Sequence, residues 1–200
     1  MIKAVIFDAG GVIVSMGSQL DEFVKIFKPK NREKFWKKIN DYVGSLSSGE
    51  ITEQKYWERI AKSENINIRN VPSNLWETNY EKGTKINKDI ISLIKNLRKK
   101  YKTILLSNTI EPHVRINKKR RLFDSFDDVI NSNEVHLSKN TTKIFKLALD
   151  RNKLKPEESV FIDDIQNFLD IAKSIGIKGI LFKDVGQLKK ELNNLGINGF

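Results

Sequence analysis

Three apolar runs of this chain do not alternate with polar residues, and each ends abruptly in polar ones. Residues 5–7 lead into Asp8, residues 103–106 into Ser107 and Asn108, and residues 160–162 into Asp163 and Asp164. Strands that are apolar on both sides are typical of a parallel sheet covered by helices on both faces. Ligands of such sheets bind at the carboxyl ends of the strands, so the runs predict both a fold and the place of its site.

Helical and strand patterns alternate along most of the chain. After residue 87 we predict helices and strands in this order: helix 90–97, strand 103–106, strand 129–130, helix 142–152, strand 160–162, helix 169–174, strand 179–182 and helix 187–195. This order predicts an α/β fold, with a Rossmann-like parallel sheet and helices on both of its faces.

The segment after the first strand has a different character. Residues 15–85 contain several stretches of helical apolar periodicity, with one helix ending near Gly44 and with Thr52 and Ser73 as N-caps of two others. All three tryptophans lie here, which predicts a small packed helical bundle, and one of them is also a candidate for lining a substrate cleft. We therefore expect a core domain of residues 1–14 and 86–200 and a helical cap of residues 15–85.

Composition excludes several kinds of site. The 200 residues include no cysteine, which rules out disulfides, thiolate metal ligands and a cysteine nucleophile. The net charge of +11 comes from lysines dispersed over the whole chain, and the densest cluster, residues 118–121, has no interleaved aromatics, so we do not expect a nucleic-acid surface. No apolar run is long enough to span a membrane, and residues 1–14 do not read as a signal peptide, so the cytoplasm is the expected location.

Carboxylates at the carboxyl edge of the sheet predict a metal. Asp8, Asp163 and Asp164 would repel one another unless a divalent cation lay among them, and an oxygen-only ligand set favours Mg²⁺. A carboxylate beside such a cation can attack a phosphoryl group and form an aspartyl-phosphate. Ser107 and Asn108 are candidate donors to the phosphoryl oxygens. Lys139, in LSKNTTKIF, is the candidate that neutralises the developing charge.

Four short motifs in this order resemble the haloacid dehalogenase-like superfamily of phosphohydrolases, in the form that carries a helical cap after the first motif. They are FDAGGVI (7–13), LLSNT (105–109), SKNTTKIF (138–145) and VFIDDIQNF (160–168), and together they span nearly the whole chain. The D-x-G pattern of the first motif is most similar to that of α-glucose-1-phosphate phosphatase-type members. The resemblance implies Mg²⁺-dependent hydrolysis of a small phosphorylated substrate, with a sugar phosphate as one possibility.

The resemblance also implies a role for each matched residue. Asp8 aligns with the nucleophile, which is a metal ligand as well, and Gly10 aligns with the residue whose carbonyl binds Mg²⁺. Ser107, with Asn108 beside it, aligns with the hydroxyl that holds the phosphoryl group, and Lys139 aligns with the lysine of the third motif.

Asp163 and Asp164 align with the acids of the fourth motif. Asp164 is expected to bind the metal directly, and Asp163 either directly or through water.

The first motif departs from the commonest pattern of the superfamily. Most of its phosphatases read D-x-D, and the second aspartate is the general acid/base, whose loss costs roughly 10²–10⁴-fold in rate. Here that position is Gly10, so proton transfer has to come from elsewhere, and His113 is a candidate proton donor.

Two other positions depart from the pattern as well. Asn140 replaces the proline that usually follows the lysine of the third motif, which leaves Lys143 as an alternative to Lys139. The residues after the acid pair are Asn167 and Phe168, where another acid or a glycine is common.

Two other functions remain open, and a third is excluded. A 2-haloacid dehalogenase also lacks the second aspartate of the first motif, but it typically has an arginine soon after, and residues 11–27 contain none. A low-activity or non-catalytic homologue would bind a phosphorylated ligand or a protein without turnover. A receiver domain shares the aspartate-bearing sheet but does not account for the length of this chain or for its helical insertion.

Overall fold

The computed structural model describes the backbone of residues 1–16 and 20–200, and the side chains of all these residues except 16, 20 and 21. The predicted cap therefore includes residues 17–19, which lie outside the described residues.

Five parallel strands form the main sheet: β1 Ala4–Phe7, β4 Lys102–Ser107, β5 Asp128–Asn131, β6 Ser159–Asp163 and β7 Lys178–Leu181. Across the sheet they lie in the order β5-β4-β1-β6-β7. The central strand β1 places Ile6 between Ile104 and Phe161. The strands predicted from the apolar runs are confirmed, with each bound shifted by at most one residue, and so is the parallel α/β fold.

A second, two-stranded sheet joins the two ends of the inserted segment. β2 (Val14–Met16) pairs antiparallel with β3 (Thr84–Ile86). The sequence analysis did not predict this ribbon, because each strand has only three residues, too few for a pattern to be recognised.

Ten α-helices are present in the described part of the chain. They are α1 Leu20–Phe27, α2 Arg32–Ser47, α3 Glu53–Ser63, α4 Leu75–Gly83, α5 Lys88–Leu97, α6 Glu111–Lys119, α7 Ser132–Val135, α8 Thr142–Asn152, α9 Gln166–Lys173 and α10 Val185–Asn194. Short 3₁₀ turns occupy Ile68–Asn70, Leu122–Ser125 and Pro156–Glu158. No described helix is both long and apolar enough to cross a bilayer.

Two apolar layers cover the main sheet, one on each face. Val5 and Phe7 point to the layer formed by α5, α6 and α10, whereas Ala4 and Ile6 point to the layer formed by α8 and α9. This alternation follows from the two-residue period of a strand, and it buries β1 completely. Since neither face of β1 meets solvent, a ligand can reach the polar residues that follow this strand only at its carboxyl end.

A third apolar cluster lies in the segment that we call the helical insert, α1 to α4. Trp57 and Trp76 are buried in it and pack at 5.6 Å between ring centroids, as the predicted bundle requires. Ile110, which follows β4, joins the same cluster, so the insert packs against the carboxyl end of the sheet.

Of the three helix boundaries predicted in the insert, one is confirmed and two are wrong. Thr52 caps α3, where its side chain accepts a hydrogen bond from the Lys55 amide. The predicted cap at Ser73 is wrong, because α4 begins after Asn74, whose side chain makes no capping bond. The predicted end of α2 near Gly44 is also wrong, because the helix continues to Ser47.

The basic cluster at residues 118–121 is held by partners within the chain. Lys118 faces Glu134 at 3.7 Å, Lys119 faces Glu81 at 2.9 Å, Arg120 donates to Thr84 Oγ1 at 2.8 Å, and Arg121 faces Asp124 at 2.7 Å.

Candidate active site

The carboxyl ends of three adjacent strands bring the predicted polar residues together. Asp8 directly follows β1, Ser107 ends β4 and Asp163 ends β6. Because β4 and β6 flank β1 in parallel, these ends meet at one edge of the sheet. All three side chains are buried, although polar groups are normally exposed.

Lys139 lies at the centre of this group. Its Nζ is 2.7 Å from Asp8 Oδ1 and 2.6 Å from Asp163 Oδ2, and the residue is only 1% exposed. The Lys139 backbone amide donates to Asn108 Oδ1 at 2.9 Å, which ties the loop before α8 to the end of β4. The alternative, Lys143, is exposed on α8. The absence of proline at Asn140 therefore does not remove Lys139 from the cluster.

Phe168 covers the buried ammonium. Its ring centroid lies 4.7 Å from Lys139 Nζ, which is a cation–π distance. Phe168 was noted in the sequence only as a departure from the usual motif, and the structure shows that it shields the cluster. Its neighbour Asn167 is exposed.

Burial and the lysine act in opposite directions on the carboxyl groups. Burial raises the pKa of Asp8 to about 6, although the Lys139 ammonium lowers it. Burial and the neighbouring Asp163 carboxylate raise the pKa of Asp164. Burial alone would lower the pKa of Lys139, but the two facing carboxylates outweigh it, so the pKa of Lys139 is raised and the side chain is a cation.

The carboxylates fit a divalent cation in number, spacing and charge. Asp8, Asp163 and Asp164 each offer an oxygen, and these atoms lie within 4.8 Å of one another. Both oxygens of Asp163 already accept hydrogen bonds, from Lys139 Nζ and from the Ile165 amide. Three carboxylates and one ammonium leave a formal charge of −2, which a divalent cation would balance. Hard oxygen ligands of this kind suit Mg²⁺.

The conformation of Gly11 explains the second glycine of the first motif. Its φ of +77° lies in the left-handed region, and a Cβ at this position would lie 2.0 Å from Asp164 Oδ2. Only glycine permits both this turn after β1 and the close approach of Asp164. The turn is closed by hydrogen bonds from Ile13 and Val14 to the Ala9 carbonyl.

A cavity of about 360 Å³ adjoins this edge of the sheet. We call it the leaving-group cavity. The insert contributes Asn40, Val43, Gly44 and Ser47 from α2 and Tyr80 from α4, and the strand ends contribute Ala9, Gly10, Ser107 and Asn108, among others. The cavity is therefore shared between the insert and the sheet.

Ser132 connects the two sides of this cavity. Its hydroxyl donates to the Ser47 carbonyl at 2.6 Å and accepts from the Thr109 amide at 2.9 Å. A second contact links the same two segments of the chain, because His136 Nδ1 lies 2.9 Å from the Ser48 carbonyl oxygen. The sequence analysis missed Ser132. The signal was available, since Ser132 is a polar residue directly after β5, like the others after their strands.

His113 lines the leaving-group cavity, but its environment does not suit a proton donor. Burial lowers the pKa of His113 to about 3, so its imidazole is neutral near neutral pH. Its Nε2 is buried without a hydrogen-bond partner among the described residues, although the residue as a whole is partly exposed. The ring stacks on Tyr80 at 3.9 Å between centroids. The structure thus places His113 in the wall of the cavity.

Curated proteins match this sequence along nearly its whole length. The bifunctional epoxide hydrolase 2 of Sus scrofa is 26% identical over 97% of this chain, which covers 39% of that protein. The chain thus spans about two fifths of the length of that curated relative.

Solved structures agree with the fold. A HAD family enzyme from Bacteroides thetaiotaomicron, solved as a magnesium complex, is 26% identical with a TM-score of 0.79, over 94% of this chain and 98% of that one. A HAD phosphatase from Thermococcus onnurineus matches with a TM-score of 0.73 at 21% identity, over the full length of both chains. An L-2-haloacid dehalogenase from Xanthobacter autotrophicus matches with a TM-score of 0.66 at 21% identity, over 99% of this chain and 85% of that one. The last two likenesses concern the fold alone.

A family model agrees with both the motifs and the fold. The model described as haloacid dehalogenase-like hydrolase matches residues 2–176, which include Asp8, Lys139, Asp163 and Asp164. With this match over most of its length, the chain belongs to the haloacid dehalogenase-like hydrolases.

Proposed function

We propose that this protein is a Mg²⁺-dependent phosphatase that hydrolyses a small phosphomonoester, such as a sugar phosphate, through an aspartyl-phosphate at Asp8. The observation that carries the proposal is the buried contact of Lys139 with Asp8 and Asp163, beside a cavity large enough for a small molecule. The HAD family enzyme solved with magnesium supports the metal.

The carboxylate cluster would hold the metal. Asp8 and Asp164 are the proposed direct ligands, together with the Gly10 carbonyl, and Asp163 binds directly or through water. Asp163 is the weaker direct candidate because both its oxygens are engaged. A bound Mg²⁺ would supply positive charge to the phosphoryl oxygens and let an anionic substrate approach an anionic nucleophile.

Asp8 begins the reaction. Its carboxylate oxygen attacks phosphorus, the bond from phosphorus to the leaving oxygen breaks, and that oxygen takes the electron pair. Ser107 and the Asn108 amide hold the phosphoryl oxygens, while Lys139 orients Asp8 and compensates the growing charge. Water then attacks the aspartyl-phosphate, which releases inorganic phosphate and restores Asp8.

The leaving oxygen must gain a proton without a carboxyl group at residue 10. We propose that solvent in the leaving-group cavity supplies it, because His113 is neutral there. The reaction should then favour leaving groups of low basicity. The Gly10 backbone lies outside the left-handed region, so its φ does not by itself disfavour an aspartate. Gly10→Asp is therefore expected to raise the rate for alkyl phosphates more than for aryl phosphates, by up to about 10²-fold.

The proposal is tested by phosphate release from p-nitrophenyl phosphate and a panel of sugar phosphates, with Mg²⁺ and with a chelator. The variants are Asp8→Asn and, as a matched control, Asp150→Asn, an exposed aspartate at the end of α8. We expect activity that requires Mg²⁺, persists in Asp150→Asn and disappears in Asp8→Asn.

Two other results would point elsewhere. Metal-independent release of halide from 2-haloacids would favour the dehalogenase. Binding of phosphate esters without turnover would favour a non-catalytic homologue.

A further inference from the structure

The lining of the leaving-group cavity is uncharged. The cavity is lined by 14 described residues, and none of them is Asp, Glu, Lys or Arg. In a protein surface with 25–35% charged residues, about four of 14 would be expected to carry charge. His113 adds none near neutral pH, since burial keeps its imidazole neutral.

Uncharged hydrogen-bonding groups are nevertheless plentiful in this cavity. Asn40 and Ser47 lie on the insert side, and Asn117 and Asn140 lie on the core side. The side chains of Asn40 and Asn140 make no hydrogen bond to the described residues, so their amide groups are available to a ligand. An amide offers two donors and an accepting oxygen, which match the hydroxyl groups of a ligand.

The remaining wall of the cavity is formed by aromatic and aliphatic side chains. The Tyr80 and His113 rings stack with an interplanar angle of 16°, and the Tyr80 hydroxyl is held by Asn117 at 3.1 Å. Val43 and Ile110 complete this wall. Such a surface packs against the C–H face of a ring or chain. The volume of about 360 Å³ is at the small end of ligand cavities.

We infer that the leaving-group cavity selects phosphomonoesters whose leaving group is uncharged and carries hydroxyl groups, and that Asn40 is a specificity-determining residue. This inference rests on the proposed phosphatase function. A leaving group with a second charge would lose hydration in this cavity and find no ion partner there, which is costly. A purely apolar leaving group would make none of the hydrogen bonds that these amide groups offer.

The test compares kcat/KM for four phosphates, with p-nitrophenyl phosphate as the reference. Glucose 1-phosphate represents an uncharged hydroxylated leaving group, 3-phosphoglycerate a charged one and hexyl phosphate an apolar one. We expect glucose 1-phosphate to exceed each of the other two by at least about tenfold.

A charge introduced at Asn40 should change this preference. Asn40 is exposed on α2, so Asn40→Lys is compatible with folding. We expect it to shift the ratio of 3-phosphoglycerate to glucose 1-phosphate toward the charged ester by about tenfold. Gln54→Lys adds the same charge on α3, outside the cavity, and should leave the ratio unchanged.

The outcomes separate the two proposals. If p-nitrophenyl phosphate is hydrolysed in an Asp8-dependent reaction but 3-phosphoglycerate or hexyl phosphate reacts as well as glucose 1-phosphate, the specificity inference is overturned and the phosphatase stands. Equal ratios in Asn40→Lys and Gln54→Lys would remove the role of Asn40. If no phosphate is hydrolysed, both proposals fall together.

Discussion

Replacing Lys139 by methionine should damage both stability and activity, because one ammonium serves two buried carboxylates. Methionine keeps the unbranched shape of the lysine stem and removes the charge. In the wild type, Nζ lies 2.7 Å from Asp8 and 2.6 Å from Asp163, and the two carboxylate side chains are 8% and 0% exposed. Lys139→Met therefore leaves two adjacent carboxylates without their common cation.

The expected magnitude follows from this burial. Removal of one partner from a buried ion pair typically costs about 3–5 kcal/mol, because an uncompensated charge remains inside the protein. In an Asp163→Asn background the same substitution should cost less, since one of the two carboxylates is already neutral. The difference between the two costs should be about 0.5–3 kcal/mol, which is the range for groups in one network.

Urea unfolding without Mg²⁺ measures these values, and Lys143→Met is the matched control. Lys143 is exposed on α8, so its loss should change the free energy of unfolding by less than about 0.5 kcal/mol. In the phosphatase assay with Mg²⁺, Lys139→Met should lose about 10²-fold or more in kcat. Equal stabilities of Lys139→Met and Lys143→Met would refute this reasoning.

Three further predictions concern His113, Ser132 and Gly11. The pKa of His113 in the folded state, about 3, lies below its ordinary value of 6.5, so below pH 6.5 the unfolded state takes up the proton first and stability falls by up to about 1.4 kcal/mol per pH unit. Between pH 7 and 4.5 the urea midpoint of unfolding should therefore fall less steeply in His113→Phe than in the wild type. Parallel curves for the two proteins would contradict this. Ser132→Ala should cost about 1–3 kcal/mol in urea unfolding, because two backbone groups lose their buried partner, and a value near zero would mean that this link contributes nothing. Gly11→Ala should weaken Mg²⁺ binding measured by calorimetry, because its methyl group would overlap Asp164, and unchanged affinity would show that Asp164 is not a ligand.

The sheet and the residues at its edge were predictable because their signals are local. Each buried strand is an apolar run, and each polar residue that ends it is placed by the strand alone. Lys139 was located by its motif and by its position just before α8. The extent of α2 was less predictable, since Gly44 usually disfavours a helix by about 1 kcal/mol and here packing of the insert outweighs that preference.

Contacts between the insert and the sheet could not be predicted from the sequence. Ser132 meets Ser47 across 85 positions, and no local pattern encodes such a contact. Phe168 reads as an ordinary apolar helix residue, and only the fold places its ring over the Lys139 ammonium. The environment of His113 was likewise hidden, because burial of its Nε2 depends on how α4 and α6 pack.

Detection of a phosphoryl group on Asp8 would test the account most directly. The protein with Mg²⁺ is mixed with excess p-nitrophenyl phosphate, quenched in acid during turnover, digested and analysed by mass spectrometry. The account predicts a phosphorylated peptide that contains Asp8, formed in the wild type and absent from Asp8→Asn. Release of phosphate without any such peptide, or with equal activity in Asp8→Asn, would contradict the central claim that Asp8 is the nucleophile.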